Sequence, residues 1–377
     1  MAVDERPPRL WLLLGRGTGG NGLMRSLARE LGWPVEEKQL VYNWRSEIPN
    51  LLLGASTLGL DRHRSAPLTA PWPDVVIAAS RRSAPVARWI RHQSGGRTCL
   101  IHLLHAQVPL HRFDLVVTMP QFRLPEAPNV LHLTAPLNRP DPQAIRAAVE
   151  RWRDRIEALP APRIALLVGG NSSSYTLDTS TAARLGREAS AAAREKEGSL
   201  LVTTSPRTPA EAAEALMGAI EVPALRYRWQ PGAGAENPYL AYLALADEFI
   251  VTADSASLLV EACIGGRPTH LFDWGTRRAS VLGSGNGRGI VDDIRDRAVY
   301  WGLIKPRRDF AAYHRALAER GLVDHLGDSP QKARPIEPLD DMERAVWRIR
   351  ETVARKRCAA RRSVEPVRVV AGTATRA

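Results

Sequence analysis

Two stretches of the chain share one pattern, in which an apolar run ends in a glycine-rich loop and an amphipathic segment follows. The first is "LLLGRGTGG" at 12–20, and the second is "RIALLVGG" at 163–170. A short apolar run predicts a strand buried on both faces. After the first loop, Leu23, Leu27 and Leu31 recur every four residues, which places them on one face of a helix. Because strands that alternate with helices form parallel sheets, the chain is predicted to fold into two similar α/β halves.

The other apolar and amphipathic segments extend this alternation. Strands are predicted at 10–14, 35–41, 75–79, 99–104, 114–118, 129–133, 163–168, 199–203, 248–252 and 269–272. Helices are predicted at 21–31, 83–94, 141–158, 179–195, 208–219, 239–246, 256–264 and 310–357, with a final helix starting at Leu339. Pro160 and Pro162 mark a linker, because proline interrupts a helix. The predicted organisation is 1–158 as the first Rossmann-like domain, 159–309 as the second, 310–354 as C-terminal helices that cross back to the first, and 355–377 as a basic disordered tail.

Composition excludes several classes of protein. The chain has 377 residues, which is more than one core usually supports. Its three cysteines lie far apart, so neither a disulfide framework nor a zinc site is expected. No apolar run is long enough for a transmembrane helix, and the charged, proline-rich start does not resemble a signal peptide. We therefore expect a cytoplasmic protein.

The positive charge is concentrated at the C-terminus. Of a net charge of +12, the segment 355–377 carries seven basic residues against the single acid Glu365. Two interpretations remain open: a solvated, disordered end, or a segment that attaches the protein to an anionic membrane on its inner face. No motif for nucleic-acid binding accompanies the charge, so no nucleic-acid partner is expected.

The first glycine loop fits the dinucleotide fingerprint G-x-G-x-x-G through Gly15, Gly17 and Gly20. An NAD site also needs an acid at the end of the second strand, where it holds the ribose. Here Glu36 and Glu37 stand at the start of that strand instead. We therefore interpret the loop as one side of a cleft, where its N–H groups and the helix N-terminus favour an anionic or hydroxyl-rich ligand.

Three polar stretches follow strands of the second half. They are "LLVGGNSSSYTLD", with Gly169, Gly170, Ser172 and Ser173; "LLVTTSPRTP", with Thr204, Ser205 and Arg207; and "TADSASLLVEACIGGRP", with Asp254, Ser255, Ser257 and Glu261. Small residues let backbone N–H groups approach a phosphate, and the hydroxyls and the arginine add donors. Asp254 or Ser255 is predicted to cap the helix that follows. Each piece alone is ordinary, but together they predict a binding site at the carboxyl edge of a parallel sheet.

These stretches, with "PDVVIAASRRSAPVARWIRHQSGGRT" and "FDLVVTMPQ" in the first half, resemble the mitochondrial-fission ELM (elongated mitochondria) family over about residues 9–350. That family is in turn similar to GT-B glycosyltransferases, which have two Rossmann-like domains facing a cleft. The resemblance implies that Ser255, Ala256 and Ser257 face the diphosphate of a nucleotide-sugar and that Glu261 holds its ribose. It also implies that Asn237 and Tyr239 line the base pocket.

The chain departs from the family pattern mainly in its first half. The loop "GRGTGGNG" lacks the family's His and Gln, and resembles the loop of lipid-linked sugar transferases. Pro206 replaces the first of two arginines, and Gln121-Phe122-Arg123 replaces a Glu-His-Asp. These departures put the catalytic groups in question more than the nucleotide site.

A metal-free transfer needs a base for the acceptor hydroxyl and positive charge for the leaving diphosphate. We predict His105 as the base, with Asp74 and His102 behind it, and Arg207 and the helix starting at Ser255 for the leaving group. The residues predicted on the acceptor side are Gly17, Gly19, Gly20, Asn21, Arg81 and Arg82. No metal and no permanently bound cofactor is expected; the nucleotide-sugar, with a UDP-linked donor as one option, is a substrate.

Three functions therefore remain open. The first is a nucleotide-sugar-dependent glycosyltransferase that acts on an envelope glycan or a lipid acceptor, and the second is a non-catalytic peripheral membrane adaptor that keeps the same fold. The third, an NAD-dependent epimerase or reductase, is disfavoured because the chain has neither a Tyr-x-x-x-Lys motif nor the ribose acid.

Overall fold

A computed structural model describes residues 6–172, 174–275, 290–306, 309–328 and 337–362. It contains two parallel sheets of six strands each. In chain order the strands are β1 Leu10–Leu14, β2 Val35–Gln39, β3 Val75–Ala78, β4 Cys99–Leu103, β5 Leu115–Thr118, β6 Val130–His132, β7 Arg163–Leu167, β8 Ser199–Thr203, β9 Ala224–Tyr227, β10 Glu248–Thr252, β11 Thr269–Phe272 and β12 Asp324–His325.

The helices connect these strands and cover the sheets. They are α1 Thr18–Leu31, α2 Asn50–Leu53, α3 Ala84–Gln93, α4 Pro142–Glu157, α5 Thr179–Glu195, α6 Ala210–Gly218, α7 Tyr239–Leu245, α8 Ala256–Cys263, α9 Ile290–Tyr300, α10 Phe310–Glu319 and α11 Asp341–Arg362. Single 3-10 turns lie at Trp44–Glu47, Arg81–Ser83, Leu110–Arg112, Pro120–Phe122 and Gly234–Glu236.

Each sheet is buried on both faces. In the first sheet, ordered β2-β1-β3-β4-β5-β6, Leu10, Leu12 and Leu14 of β1 pack towards α1 and α11, whereas Trp11 and Leu13 pack towards α3. The second sheet is ordered β12-β11-β10-β7-β8-β9 and has a core on each face as well. The predicted fold class is therefore confirmed as α/β with two Rossmann-like domains, each a six-stranded parallel sheet with helices on both faces.

The domain boundaries differ from the predicted ones. Trp152 and Ile156 of α4 belong to the core of the second sheet, so the boundary lies before this helix and the predicted position at residue 158 is one helix too late. Val299 of α9 packs into the core of the first sheet, although 159–309 was assigned to the second domain. Pro160 and Pro162 lie in the turn between α4 and β7, within the second domain.

The C-terminal helix α11 returns to the first domain. Its buried residues Met342, Ala345, Ile349 and Val353 join the core beside α1. The helix continues to Arg362, so the part 355–362 of the predicted disordered tail is helical instead. Residues 363–377 lie outside the described residues.

Candidate functional site

Three loops meet at the carboxyl edge of the second sheet, because β10, β7 and β8 are neighbours in it. The N–H of Gly169 donates to Oγ1 of Thr252 at 2.7 Å, and the N–H of Gly170 donates to Oδ2 of Asp254 at 2.9 Å. Nη1 of Arg207 lies 2.7 Å from the same carboxylate oxygen. Asp254 therefore joins the loop after β7 to the loop after β8.

Asp254 is an acid in an unusual environment. Its side chain is fully buried, and its Oδ1 has no hydrogen-bond partner within the described ranges. Burial raises the pKa of Asp254, while the charge of Arg207 and the hydrogen bond from Gly170 lower it. Ser255 occupies the predicted N-cap position of α8, but its side chain makes no capping hydrogen bond to any described residue. Asp254, the alternative, does not cap the helix and instead holds the neighbouring loops.

The two glycines allow the loops to approach closely. A Cβ at Gly169 would lie 2.3 Å from the carboxylate oxygens of Asp254. Gly170 has a φ of +157°, and a Cβ there would lie 2.2 Å from the carbonyl oxygen of Arg207. These positions exclude any side chain, so glycine serves loop packing here.

The hydroxyl groups predicted to contact a ligand brace these loops. Oγ of Ser205 donates to the carbonyl of Gly169 at 2.7 Å, and Oγ1 of Thr204 accepts from the N–H of Trp229 at 2.9 Å. Oγ of Ser172 accepts from the N–H of Tyr175 at 3.1 Å. Ser173 lies outside the described residues.

The N-terminus of α8 remains open. Its first intrahelical bond joins the N–H of Leu259 to the carbonyl of Ser255 at 3.1 Å, so the N–H groups of 256–258 precede the hydrogen-bonded part of the helix. Residues 255–258 are half-buried, and the first turn, "ASLL", contains no acid. Such an end favours an anion, because the helix dipole and the unpaired N–H groups point towards it.

Glu261 lies one and a half turns further along α8. The hydroxyl of Tyr239 donates to Oε2 of Glu261, and Oδ1 of Asn237 accepts from the N–H of Tyr239 at 3.0 Å. Burial raises the pKa of Glu261 to about 7, although the Tyr239 hydrogen bond opposes this. Three residues predicted for the nucleotide are thus adjacent, and one of them is an acid that titrates near neutrality.

The glycine loop of the first domain faces α8. Gly17 is the N-cap of α1, and a Cβ at Gly19 would lie 4.0 Å from Oγ of Ser257. The Asn21 side chain accepts from the N–H of Gly15 at 3.1 Å and donates to its carbonyl at 2.7 Å, so it fixes the loop. The first turns of α1 and α8 therefore lie close together.

Gly20 lies against the sheet: a Cβ on it would be 3.6 Å from Cβ of Ala79. Glu36 and Glu37, considered for an NAD ribose, form ion pairs with Lys38 and with Arg25. They contact neighbouring cations rather than the loop.

His105 lies two residues after β4 and is 9% exposed. Burial lowers its pKa to about 4, and its Nε2 has no hydrogen-bond partner among the described residues. His102 is fully buried against Phe113, and its Nε2 lies 3.3 Å from the carbonyl of Ser80. Asp74 does not lie behind His105: it precedes β3, at the opposite end of the sheet, where it binds the N–H of Arg9 at 2.8 Å.

Arg81 and Arg82, predicted on the acceptor side, both contact Glu47. Nη2 of Arg81 lies 2.9 Å from one carboxylate oxygen of Glu47, and Arg82 pairs with the other. Arg81 also donates to the carbonyl of Ser46 at 2.8 Å. These contacts attach the segment around Trp44–Glu47 to the start of α3.

Sequence reasoning missed two residues of the site. Oγ1 of Thr208 donates to the carbonyl of Gly169, and the buried His314 of α10 places Nε2 3.0 Å from the carbonyl of Ala253, just before α8. The position of Thr208 before a proline was a usable signal. His314 is far along the chain and lies in no motif, so only the fold brings it to the site.

Within the described ranges, no cluster of three or more His, Cys, Asp or Glu residues is arranged to hold a metal ion. The same ranges contain no helix that is both long and apolar enough to cross a bilayer.

Known proteins resemble this chain in sequence over most of its length. A sequence model of the family described as Mitochondrial fission ELM1 matches residues 19–285. Mitochondrial fission protein ELM1 of Arabidopsis thaliana is 27% identical over 307 residues, which cover 75% of this chain and 64% of that protein. The matched region is thus under two thirds of the plant relative's length. Uncharacterized protein RP120 of Rickettsia prowazekii (strain Madrid E) is 20% identical over 295 residues, covering 70% of this chain and 82% of that protein.

Solved structures resemble the chain more distantly. UDP-GlcNAc 2-epimerase from Neisseria meningitidis, bound to UDP-GlcNAc, has a TM-score of 0.45 at 12% identity, covering 92% of this chain and all of that one. A glycosyl transferase family 9 structure from Veillonella parvula has a TM-score of 0.37 at 12% identity, covering 85% and 98%.

Proposed function

The chain belongs to the mitochondrial fission ELM1 family, and on that premise we propose that it binds a nucleotide-sugar and transfers the sugar to a hydroxyl acceptor. The observation that carries the proposal is the close approach of the N-terminal turns of α1 and α8 at Gly19 and Ser257. Each helix N-terminus favours negative charge, and two of them close together favour a group with two negative charges, such as a diphosphate. Neither helix has an acid in its first turn that would repel it.

The proposed donor lies along α8. Its diphosphate accepts from the N–H groups of 256–258 and from the Ser257 hydroxyl, and its ribose hydroxyls donate to Glu261. Glu261 suits this role in its ionised form, which accepts hydrogen bonds only. Asn237 and Tyr239 lie beside it and place the nucleoside end on that side. Gly169, Gly170, Ser172, Thr204 and Ser205 support the loops around the donor.

Transfer requires charge stabilisation and a base. As the bond to the sugar breaks, negative charge grows on the diphosphate, and the helix N-termini and the partly exposed Arg207 stabilise it. We assign His105 as the base: its imidazole is neutral at pH 7, and its Nε2, which has no partner among the described residues, accepts the acceptor's proton. Leu104 and Gln107, at φ of 70° and 51°, hold this loop in a strained conformation of the kind common at functional sites.

A non-catalytic adaptor is the second candidate, and the burial of His105 favours it. A base must reach the acceptor, and the two arginines predicted on the acceptor side, Arg81 and Arg82, already pair with Glu47.

Only part of the basic C-terminal segment is available to attach the protein to a membrane. Lys356 and Arg357 pair with Asp114 and Asp74, so the start of the basic segment holds α11 in place.

A thermal-shift panel tests donor binding. The purified chain is heated with UDP-, GDP- and ADP-sugars, CMP and NAD, and the panel is repeated on Glu261→Gln. A ligand at about 100 times its Kd adds about 2.7 kcal/mol to stability. We expect one nucleotide-sugar to raise the Tm in the wild type but not in Glu261→Gln. Glu214→Gln, an exposed acid of the same domain, is the matched control and keeps the response.

Transfer is tested with the ligand found in this panel, by release of nucleotide from the sugar in the presence of a lipid extract. Binding with release supports the transferase, and binding without release supports the adaptor. A response to NAD alone contradicts both.

A further inference from the structure

Residues 44–58, after β2, expose several large apolar side chains. Trp44 is 74% exposed, Leu51 59%, Leu52 77% and Leu58 56%. Asn50 and Leu53, at the ends of the short helix α2, point inwards, and the Asn50 amide donates to the carbonyls of Arg81 and Ala106 at 2.8 Å. Fixed polar contacts therefore hold α2 with its two middle leucines directed at solvent.

A second exposed segment lies beside the first. Trp301 is 52% exposed and Leu303 63%, and Trp301 packs edge-on against His111 at 5.3 Å. Both segments lie against the loop after β4: a Cβ at Gly302 would lie 2.6 Å from the backbone of Val108, and the Asn50 amide donates to the carbonyl of Ala106. The hydrogen bond from Arg82 is the main cause of the lowered pKa of Glu47, and the charge of Lys305 contributes too. We call Trp44, Leu51, Leu52, Leu58, Trp301 and Leu303 the apolar patch.

Cations surround the apolar patch. The guanidinium of Arg45 lies 5.5 Å from the Trp44 ring centre, and Nη1 of Arg88 donates to the carbonyl of Gly54 at 3.1 Å. Arg88 is close enough to Arg112 that their repulsion adds to burial in lowering its pKa. The cations at these contacts are Arg45, Arg81, Arg82, Arg88, Arg112 and Lys305, and two of them, Arg81 and Arg82, pair with the acid Glu47.

We propose that the apolar patch docks onto a lipid bilayer that contains anionic lipid. Tryptophan and leucine side chains enter the boundary between headgroups and acyl chains, and the flanking arginines and lysine meet the negative headgroups. An excess of cations around exposed leucines complements the negative headgroups of an anionic lipid surface. The residues that form the proposed docking surface lie within 44–58, 81–112 and 301–305.

The proposal deepens the proposed function and rests on it for the substrate class. The segments at 44–58 and 106–112 follow β2 and β4, so they lie at the carboxyl edge of the first sheet, the edge that carries the acceptor side of the cleft. Docking there directs the cleft towards the bilayer. An acceptor hydroxyl carried by a membrane lipid then reaches the site without leaving the membrane.

Co-sedimentation with vesicles tests the docking surface. The full chain is mixed with vesicles of phosphatidylcholine alone or with added phosphatidylglycerol. We expect sedimentation with the mixed vesicles and a partition coefficient at least about tenfold lower for the double variant Leu51→Ser, Leu52→Ser, because two leucines no longer leave water. Both side chains are exposed, so the fold tolerates the change. Trp347→Ser is the control: Trp347 is 64% exposed on α11 and outside the patch, and this variant sediments as the wild type does.

Two further measurements separate the possible sources of binding. Brominated lipid quenches tryptophan fluorescence, and we expect less quenching in Trp44→Phe. The double variant Arg368→Gln, Arg376→Gln removes charge from the C-terminal segment, and we expect most of the sedimentation to remain. Loss of binding only in that second double variant overturns the proposal, as does undiminished binding of the leucine variant or no vesicle binding by the wild type. The nucleotide panel on the leucine variant is expected to match the wild type, so a failure here is distinguishable from a failure of nucleotide binding.

Discussion

Arg207 and Asp254 form an ion pair across the site, with Nη1 of the arginine 2.7 Å from the buried carboxylate. The arginine lies on the loop after β8 and the aspartate on the loop after β10, and the glycine loop after β7 lies between them. The pair therefore sets the relative positions of three loops before any ligand arrives.

The first prediction concerns Arg207→Ala, whose cost in stability grows with pH. Burial raises the pKa of Asp254 in the folded state, so ionisation of this acid lowers the stability of the fold. Removing Arg207 raises that pKa further, so ionisation costs more in the variant. Below about pH 4 Asp254 is protonated in the wild type and in Arg207→Ala, so the two proteins differ little in stability. By pH 8 we expect Arg207→Ala to be about 1–2 kcal/mol less stable, at the low end for a buried pair because the guanidinium is 38% exposed.

Urea unfolding at several pH values between 4 and 8 measures this difference. Arg228→Ala, which breaks the exposed pair with Glu214, is the matched control, and its effect on stability is expected to be small at every pH. A cost of Arg207→Ala that stays constant over this range contradicts the assigned role of the pair.

The second prediction concerns Glu261→Gln, which is more stable than the wild type at high pH. The pKa of Glu261 rises from 4.5 to about 7 in the folded protein, so its favourable contribution is present below pH 4.5 and is lost as the pH rises through 7. Gln is neutral throughout and still accepts from Tyr239. Each unit of pKa shift corresponds to about 1.4 kcal/mol. We therefore expect the free energy of unfolding of the variant to exceed that of the wild type by up to about 3 kcal/mol at pH 8 and to equal it at pH 4. Denaturant titrations at both values check this; an equal difference at both would show that burial does not shift Glu261.

The third prediction concerns Gly170→Ala, for which we expect a loss of more than about 3 kcal/mol or failure to fold. The added Cβ would meet the Arg207 carbonyl at 2.2 Å, and backbone atoms have no rotamer through which to move away. Gly218→Ala in α6 is the control, since nothing lies within 4 Å of its added Cβ and alanine favours a helix; it stays within about 1 kcal/mol of the wild type. Chemical denaturation compares the two, and a well-folded Gly170→Ala would mean that the loops separate more easily than the contacts indicate.

The sequence was enough to predict most of the fold, because buried parallel strands are short apolar runs. The predicted 10–14 and 199–203 match β1 and β8 residue for residue. The strand β9 was not predicted: it is an edge strand that is half-buried and contains the exposed Arg226. Its backbone pairing with β8 stabilises it as a strand, and the local sequence gives no indication of this pairing.

The site was predictable only as a location. Polar loops after neighbouring parallel strands must meet, so the edge of the second sheet followed from the order of elements. The hydrogen-bond partner of each group could not be predicted, because it comes from far along the chain. Gly170 donates to Asp254, 84 residues away, and Arg81 donates to Glu47, 34 residues away. The assignment of α4 failed for the same reason, since its apolar face gives no indication of which sheet it covers.

The last prediction concerns Asp341, which joins the two places where the chain passes between the domains. Its carboxylate accepts from the N–H groups of Thr134 and Ala135, both at 2.9 Å, and it is 3% exposed. Asp341→Ala leaves both N–H groups without that acceptor, so we expect a loss of about 2–4 kcal/mol and faster hydrogen exchange at residues 134–135 and along the first turns of α11. Asp340→Ala is the matched control, because that side chain is 60% exposed and its ion pair among the described residues is with Arg344, at 3.9 Å. Hydrogen exchange read by mass spectrometry reports both regions, and unchanged protection in Asp341→Ala would show that apolar packing of Met342 and Ala345 alone holds α11 to the first domain.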